Sequence, residues 1–304
     1  MSNNSSFQDK SYERHADHFR EHAAGGTLAE HAQTWLARDT VDAWLHERLY
    51  GALDPILTQD PEAAWLTVGD GRFGKDATYI LEHDGHALAT DISETLLKEA
   101  QERGLIRDYA VENAEALSFD DASFDYVFCK EAYHHFPRPM LALYEMLRVT
   151  KKAVCLLEPQ DLYVGAKPTS AFFAALKNTV KQLLGRPAAK HNFEDSGNYV
   201  YSISRREMEK VALGINLRMV AFKGFNSAYF KGAEYERLTT RGPIQRRVKS
   251  MIGIQDALCR VGIGEHGLLA AILFKEVPAE PLATSLTDAG YDLIRLPENP
   301  YIAG

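Results

Sequence analysis

The chain reads as a doubly wound α/β protein, a Rossmann-like, mostly parallel sheet of seven strands with helical insertions. Three observations predict this. Apolar runs of strand length alternate with helix-forming runs between residues 63 and 158. A glycine-rich turn, Val68-Gly69-Asp70-Gly71-Arg72-Phe73-Gly74, falls where the first apolar run hands over to a helix. An acidic residue, Asp91, closes the next apolar run, seventeen residues beyond Gly74. Such alternation implies parallel strands joined by crossover helices, and ligands of such sheets bind at the carboxyl ends of the strands.

Taken in order, residues 1 to about 11 are polar and read as disordered. From 12 to 57, Phe19, Trp35, Leu36, Val41, Trp44, Leu45 and Leu49 recur at helical spacing, so two or three helices form an N-terminal cap over 1–60. Strands are expected near 64–68, 86–90, 108–111, 124–129 and 152–158, with helices near 73–83, 93–103 and 138–148. After Glu158-Pro159 the rhythm breaks. A helix over 170–184 stops at Gly185 and Pro187, and a polar loop follows over 192–198. Ser204-Arg205-Arg206-Glu207 has the form of a capping box, opening a helix to about 213. A strand over 217–223, a basic insert over 231–262 and a final strand over 268–275 complete the fold. The main domain is thus 61–277, with the inserts 160–202 and 231–262 on the acceptor side, and the turn-rich tail 278–304 is expected to lie over the surface.

Composition bounds the function. The chain has 304 residues, 45% hydrophobic and 25% charged, enough for a full core. Its longest apolar run, 268–274, is far short of the ~20 residues that span a bilayer. The N-terminus lacks the basic-then-apolar pattern of a secretory signal, so a cytoplasmic location is expected. Cys129, Cys155 and Cys259 form no metal or redox motif and read as core residues. A net charge of −8 argues against nucleic acid as a partner. The segment 205–249 is nonetheless basic, with eleven Lys or Arg against four Glu, which suits either a solvated helical surface or a contact with an anionic, phosphorylated small molecule.

Glycine at 69, 71 and 74 lets the backbone turn tightly and approach a ligand without a Cβ in the way, and an acid at the tip of the second strand can accept both hydroxyls of a ribose. That pairing points to the adenosine half of a cofactor without saying which. The run from Asn113 to Val127 (Asn-Ala-Glu-Ala-Leu-Ser-Phe-Asp-Asp-Ala-Ser-Phe-Asp-Tyr-Val) narrows the choice. It resembles the third motif of the class I S-adenosylmethionine-dependent methyltransferases, in the branch that includes the ubiquinone and menaquinone methyltransferases. The resemblance covers residues 65–158, about a third of the chain.

The resemblance implies a Rossmann-like methyltransferase fold and S-adenosylmethionine as cofactor. It implies that Gly69, Asp70 and Gly71 lie against the methionine and ribose portions, that Asp91 takes the ribose hydroxyls, and that Ile92 lies on the adenine. Asn113, Ala114 and Glu115 would stand at the adenine edge, and Lys130 beneath the cofactor. The loop Cys129 to Phe136 would face the methyl acceptor. Two positions depart from the family pattern: Thr67 replaces an acid at the end of the first strand, which makes Asp70 the candidate partner for the cofactor's amino group, and Asn113 replaces an Asp. Methyl transfer from a sulfonium is an in-line displacement that chiefly needs alignment. A hydroxyl acceptor also needs a base, for which His134 and His135 are candidates, with Glu131 beside them; an amine could simply be steered by Glu131. No third ligand accompanies the paired histidines, so no metal is expected. His15, His18 and His22 have helical spacing and read as an exposed face.

The expected function is methylation of a small molecule, at a hydroxyl of a sugar, sugar nucleotide or natural-product precursor, by a protein that could be a homodimer. The alternatives are N-methylation of an amino sugar or other amine, or a cofactor-binding regulatory protein without turnover. Aromatic residues of the inserts, Phe172, Phe173, Tyr199, Tyr201, Phe225, Tyr229 and Phe230, are candidates to line the acceptor pocket. A nicotinamide-dependent oxidoreductase would have no use for the 113–127 run.

Overall fold

A computed structural model of the chain describes residues 2–25, 27–162, 164, 169, 172, 175–176, 179, 193, 198–239 and 242–301. Four helices come first: α1 (Ser2–Ala23), α2 (Thr27–Thr34), α3 (Val41–Tyr50) and α4 (Asp54–Gln59). The alternating part follows as β1 (Ala64–Val68), α5 (Lys75–Glu82), β2 (His86–Asp91), α6 (Thr95–Glu102), β3 (Tyr109–Val111), β4 (Phe124–Lys130), α7 (Pro139–Val149) and β5 (Thr150–Pro159). Then come α8 (Arg205–Gly214), β6 (Met219–Phe225), α9 (Pro243–Arg260), β7 (Leu268–Phe274), α10 (Glu280–Asp288) and β8 (Asp292–Arg295).

The strands form one sheet in the order β3-β2-β1-β4-β5-β7-β6-β8. The first five run parallel, β7 is antiparallel to β5 and β6, and β8 is antiparallel to β6. Strand order reverses at β1, between β2 and β4, which is the switch point where a doubly wound sheet leaves a crevice at its strand tips. Both faces are covered. In β7 every residue is buried, with Leu269, Ala271 and Leu273 packed into one layer and Leu268, Ala270, Ile272 and Phe274 into the other. A continuous apolar run is what a strand buried on both sides requires.

The predicted α/β sheet is present, with three differences in its flanks. The sheet has eight strands rather than seven, because the tail does not simply lie over the surface. Pro281 falls in the first turn of α10, where proline is compatible with a helix, and Leu282 and Leu286 bury against the layer that holds Ile56. The chain then turns at Gly290 and adds β8 to the free edge of β6. Residues 2–11, expected to be disordered, belong to α1, and four helices rather than two or three precede β1. The segment is polar enough to lack a core signal, and at its end the Ser11 hydroxyl donates to Asn198. The helix expected over 170–184 and most of the 192–198 loop lie outside the described residues. The capping box forms as expected: Ser204 is the N-cap of α8 and its hydroxyl accepts from Glu207 N at 3.1 Å.

The basic insert becomes a turn and α9. Val248 and Ile252 of α9 pack with Ala233 against Val41 and Leu45 of α3, forming a small core of their own. Leu238 N donates to Asp39 O, and Thr40 and Arg237 form a β-bridge. The N-terminal helices and the late insert are therefore joined, and together they roof the crevice.

Candidate active site

A cavity of about 590 Å³ opens at the tips of β1, β2 and β4. Its first end is built by the glycine turn. Gly69 has φ +77°, and a Cβ there would stand 2.3 Å from the Cβ of Ala132, so the loop after β4 presses directly on the turn. A Cβ on Gly71 would lie 2.7 Å from Phe19 and 2.8 Å from Asp91 Oδ2. Glycine is required at both places by close approach. Gly69 N and Asp70 N both donate to Thr90 O at 2.9 Å, which locks the turn to the end of β2.

Asp70 is occupied within the protein. Its carboxylate accepts from Asp76 N at 3.0 Å and Ala77 N at 2.9 Å, capping the N-terminus of α5, and from the Thr67 hydroxyl at 2.8 Å. Thr67 thus anchors the acid three residues on. Burial, with Asp76 nearby, raises the Asp70 carboxyl well above its ordinary range. Asp91 is also buried. Ser93 N donates to its Oδ1 at 2.8 Å, and desolvation lifts its pKa to about 7 against the pull of the surrounding backbone N–H groups. Asn113 Oδ1 accepts from Glu115 N at 2.9 Å. Glu115 accepts from Arg138 through both its oxygens, at 2.6 Å each, and from the Tyr12 hydroxyl, tying α1 to the loop after β3.

The loop after β4 is held from behind. Glu158, fully buried at the end of β5, accepts from Ala132 N and Tyr133 N at 2.9 Å through one oxygen and meets His134 Nδ1 at 2.6 Å through the other. His134 and His135 rings lie 3.9 Å apart, and His15 of α1 approaches His135 at 5.5 Å. Asn198 donates to His135 O at 2.8 Å and accepts from the Ser11 hydroxyl, so α1 is tied to this loop too.

The second end is formed by side chains of α3, α5 and the loop after α2, around Lys130 and Glu131 at the end of β4. Lys130 Nζ bonds to Glu131 at 2.9 Å and to His46 Nδ1 at 3.0 Å, and lies over the Tyr50 ring. Burial opposes its charge, yet Glu131 and Asp76 hold the ammonium above its ordinary pKa. Burial also pushes the Glu131 carboxyl up, and Lys130 overrides it, leaving a pKa of about 2. Lys130 and then burial lower His46 to about 3, so this imidazole is neutral. Tyr50 donates to Asp76 at 2.9 Å, and burial lifts Asp76 to about 6. Arg72 lies over the Trp35 ring at 4.9 Å, while Arg38 pairs with Glu82. Burial, followed by Arg38, lowers the pKa of Lys75. Among the described residues neither Arg72 nor Lys75 has a carboxylate within ion-pair distance.

Of the sequence candidates, Gly69, Asp70, Asp91, Ile92, Asn113, Ala114, Glu115, Lys130, Glu131 and His135 line this one cavity. Gly71 supports it from beneath, and His134 stands behind His135 on Glu158. None of the described aromatics proposed from the inserts, Phe172, Tyr199, Tyr201, Phe225, Tyr229 or Phe230, lines it, and Phe173 lies outside the described residues. Phe225 is core, Phe230 packs in the small core beneath Arg247, and Tyr229 donates to Glu234. Trp35, Trp44, Tyr50 and Tyr79 line the cavity instead. His15 lines it as well, although it was expected on an exposed face. Sequence reasoning also missed Glu158 and His46, which sit in no local pattern that marks them, and Arg72, whose place in the glycine turn does not show that it lines the cavity.

Residues 66–157 match the family model described as a methyltransferase domain. The match spans less than a third of the chain. Over 105 residues the chain is 34% identical to the 2-methyl-6-phytyl-1,4-hydroquinone methyltransferase of Synechocystis sp., covering 34% of this chain and 32% of that relative. The chain thus spans about a third of the relative's length. Among solved structures, the methyltransferase domain resembles the magnesium protoporphyrin IX methyltransferase of Synechocystis with bound S-adenosylhomocysteine, at 11% identity, TM-score 0.45, covering 89% and 99% of the two chains. A methyltransferase from Archaeoglobus fulgidus is similar at 14% identity, TM-score 0.46, covering 75% and 94%.

Proposed function

We propose that the chain is an S-adenosylmethionine-dependent methyltransferase of a small molecule. The observation that carries this reading is one cavity in which the Gly69 to Gly71 cradle and the Asp91 carboxylate occupy one end and a wall of aromatic and charged side chains occupies the other. The cradle that a Cβ would fill and the ribose acid suit the cofactor. When bound, it supplies an electrophilic methyl group on a sulfonium.

The chain's own residues divide the remaining tasks. Asp91 accepts the ribose hydroxyls, and Ile92, Asn113 and Ala114 bound the adenine side. Asp70 already carries three hydrogen bonds, so the cofactor's amino-acid end falls to the second end of the cavity: Glu131 and Asp42 face its ammonium and Arg72 and Lys75 its carboxylate. His135 takes the proton of a hydroxyl acceptor, and His134, fixed by Glu158, positions it. With an amine acceptor, Glu131 steers the nucleophile and no base is needed. Water is kept out by α1 and by the roof of α3 and α9.

The acceptor is either a hydroxyl of a sugar, sugar nucleotide or natural-product precursor, or an aromatic ring system. The rings of Trp35 and Trp44 favour the aromatic reading, in line with the hydroquinone in the curated relative's name. Calorimetric titration with S-adenosylhomocysteine tests the core of the proposal: micromolar or tighter binding is expected, and its absence in the wild-type protein overturns it. Product formation across sugar and phenol acceptors then separates the two readings.

A further inference from the structure

The outer face of α9 plays no part in the cavity, yet it is the most distinctive surface of the molecule. Val248, Ile252 and Cys259 turn inward. On the opposite side Met251, Ile254 and Leu258 follow one another at intervals of three and four, and Val261 continues the row just past the helix end. Their exposures are 40%, 57%, 40% and 66%. Spacing of i, i+3, i+7 and i+10 places them in one stripe along a helix about 27 Å long.

Charge sets this stripe apart from an ordinary solvated face. The exposed positions of α9 include Arg246, Arg247, Lys249 and Arg260 and no acidic residue. The helix's single acid, Asp256, accepts from Asn226 Nδ2 at 2.8 Å. In a chain of net charge −8, this cationic surface is a local inversion of sign, with Arg247 in line with the apolar row and Arg246 on its flank, and among the described residues nothing packs over the row. Two of the α9 cations also stand on aromatic rings: Arg247 over Phe230 at 4.9 Å and Lys249 over Trp44 at 5.1 Å. Trp44 lines the cavity, so the N-terminal half of α9 lies against the cavity wall through its inner side.

We propose that α9 docks the protein on an anionic lipid surface, with Met251, Ile254, Leu258 and Val261 entering the headgroup boundary and Arg246 and Arg247 facing the lipid phosphates. A helix with one apolar row and a cationic flank is the form that lies in the plane of a bilayer interface. Its attraction combines buried apolar area with the negative surface potential and fades with salt. A second copy of this chain is a poorer occupant, because a two-fold pairing through the same face opposes cation to cation. Docking there sets the cavity wall about one helix diameter, ~10 Å, from the membrane surface.

Co-sedimentation of the full-length protein with vesicles is the test. Binding is expected to vesicles of phosphatidylcholine mixed with phosphatidylglycerol, weaker at high salt, and absent with phosphatidylcholine alone. The double variant Ile254→Glu/Leu258→Glu and, separately, Arg246→Glu/Arg247→Glu should each lose about tenfold or more in partitioning while still binding S-adenosylhomocysteine as the wild type does. If the apolar variant fails to fold, the charge variant on exposed arginines still reads the proposal. No sedimentation with anionic vesicles overturns it, and so does equal binding by the charge variant. A wild-type dimer in analytical ultracentrifugation that Ile254→Glu dissolves would overturn it in favour of self-association.

Discussion

The two ends of the cavity are built on different principles. The adenosine end consists of strand tips, backbone N–H groups and glycines, with Asp91 as its one decisive side chain. The other end consists of long side chains from α3, α5 and the loop after α2, brought toward Lys130 and Glu131 from distant positions, eighty-four residues away in the case of His46. A site made from backbone at a strand-to-helix turn tolerates little change, because any Cβ at Gly69 or Gly71 collides. A site made from side chains on separate helices can be rebuilt residue by residue. In the proposed function the contrast separates an adenosine half held mainly by backbone from an amino-acid end and an acceptor held by side chains.

The largest effect is expected from breaking the adenosine end. Asp91→Ala removes the acceptor for two ribose hydroxyls and should weaken S-adenosylhomocysteine binding by about a hundredfold or more, at ~1.5–3 kcal/mol per charge-assisted bond. Calorimetry reads this directly, and unchanged affinity would dissolve the distinction between the ends. At the junction, His135→Gln should lower kcat by about a hundredfold with little change in KM for a hydroxyl acceptor. His134→Gln should fall short of that loss, since His134 stands behind the cavity wall; equal losses would make the pair one unit. At the second end, Arg72→Ala should cost about tenfold in affinity for S-adenosylhomocysteine and nothing for methylthioadenosine, which lacks the amino-acid group. Equal loss for both ligands would place Arg72 with the adenosine end.

The smallest effect concerns stability. With its native pKa at about 7 against 3.8, Asp91 makes the folded state bind more protons than the unfolded one between those values. Stability from this group is therefore greatest at low pH and falls as pH rises through that window, and Asp76 at about 6 acts in the same sense. Asp91→Asn should relieve the charge. The ligand-free variant is expected to melt several degrees above wild type at pH 8, with the gain shrinking toward pH 5; a pH-independent difference would count against a buried, raised carboxyl.

The division between the ends is also the division between what can and cannot be read in the sequence. Glycines at 69, 71 and 74, the acid at 91 and the 113–127 run are local patterns, and their meaning depends on neighbours a few residues away. Their strands and helices form close to the expected bounds for the same reason. Arg72 sits inside the legible turn, yet its contact with Trp35 depends on where the loop after α2 passes over that turn, which no local spacing records. Glu158 looks like an ordinary strand end until the loop it fixes is known. The insert aromatics carry the right chemistry for an acceptor wall, and packing placed them elsewhere. Thr67 shows the converse: a departure from the family pattern becomes intelligible once its hydroxyl is seen on Asp70.

The eighth strand bears on how the molecule behaves in a test tube. Without the last dozen residues, the backbone of β6 would be left with an open row of donors and acceptors beside Leu293 and Ile294's former seat, a template for pairing with any passing chain. Trimming the C-terminus for crystallisation, or threading a cleavable tag too close to residue 295, would turn a monodisperse preparation into one prone to precipitate. The turn-rich tail thus serves as a seal.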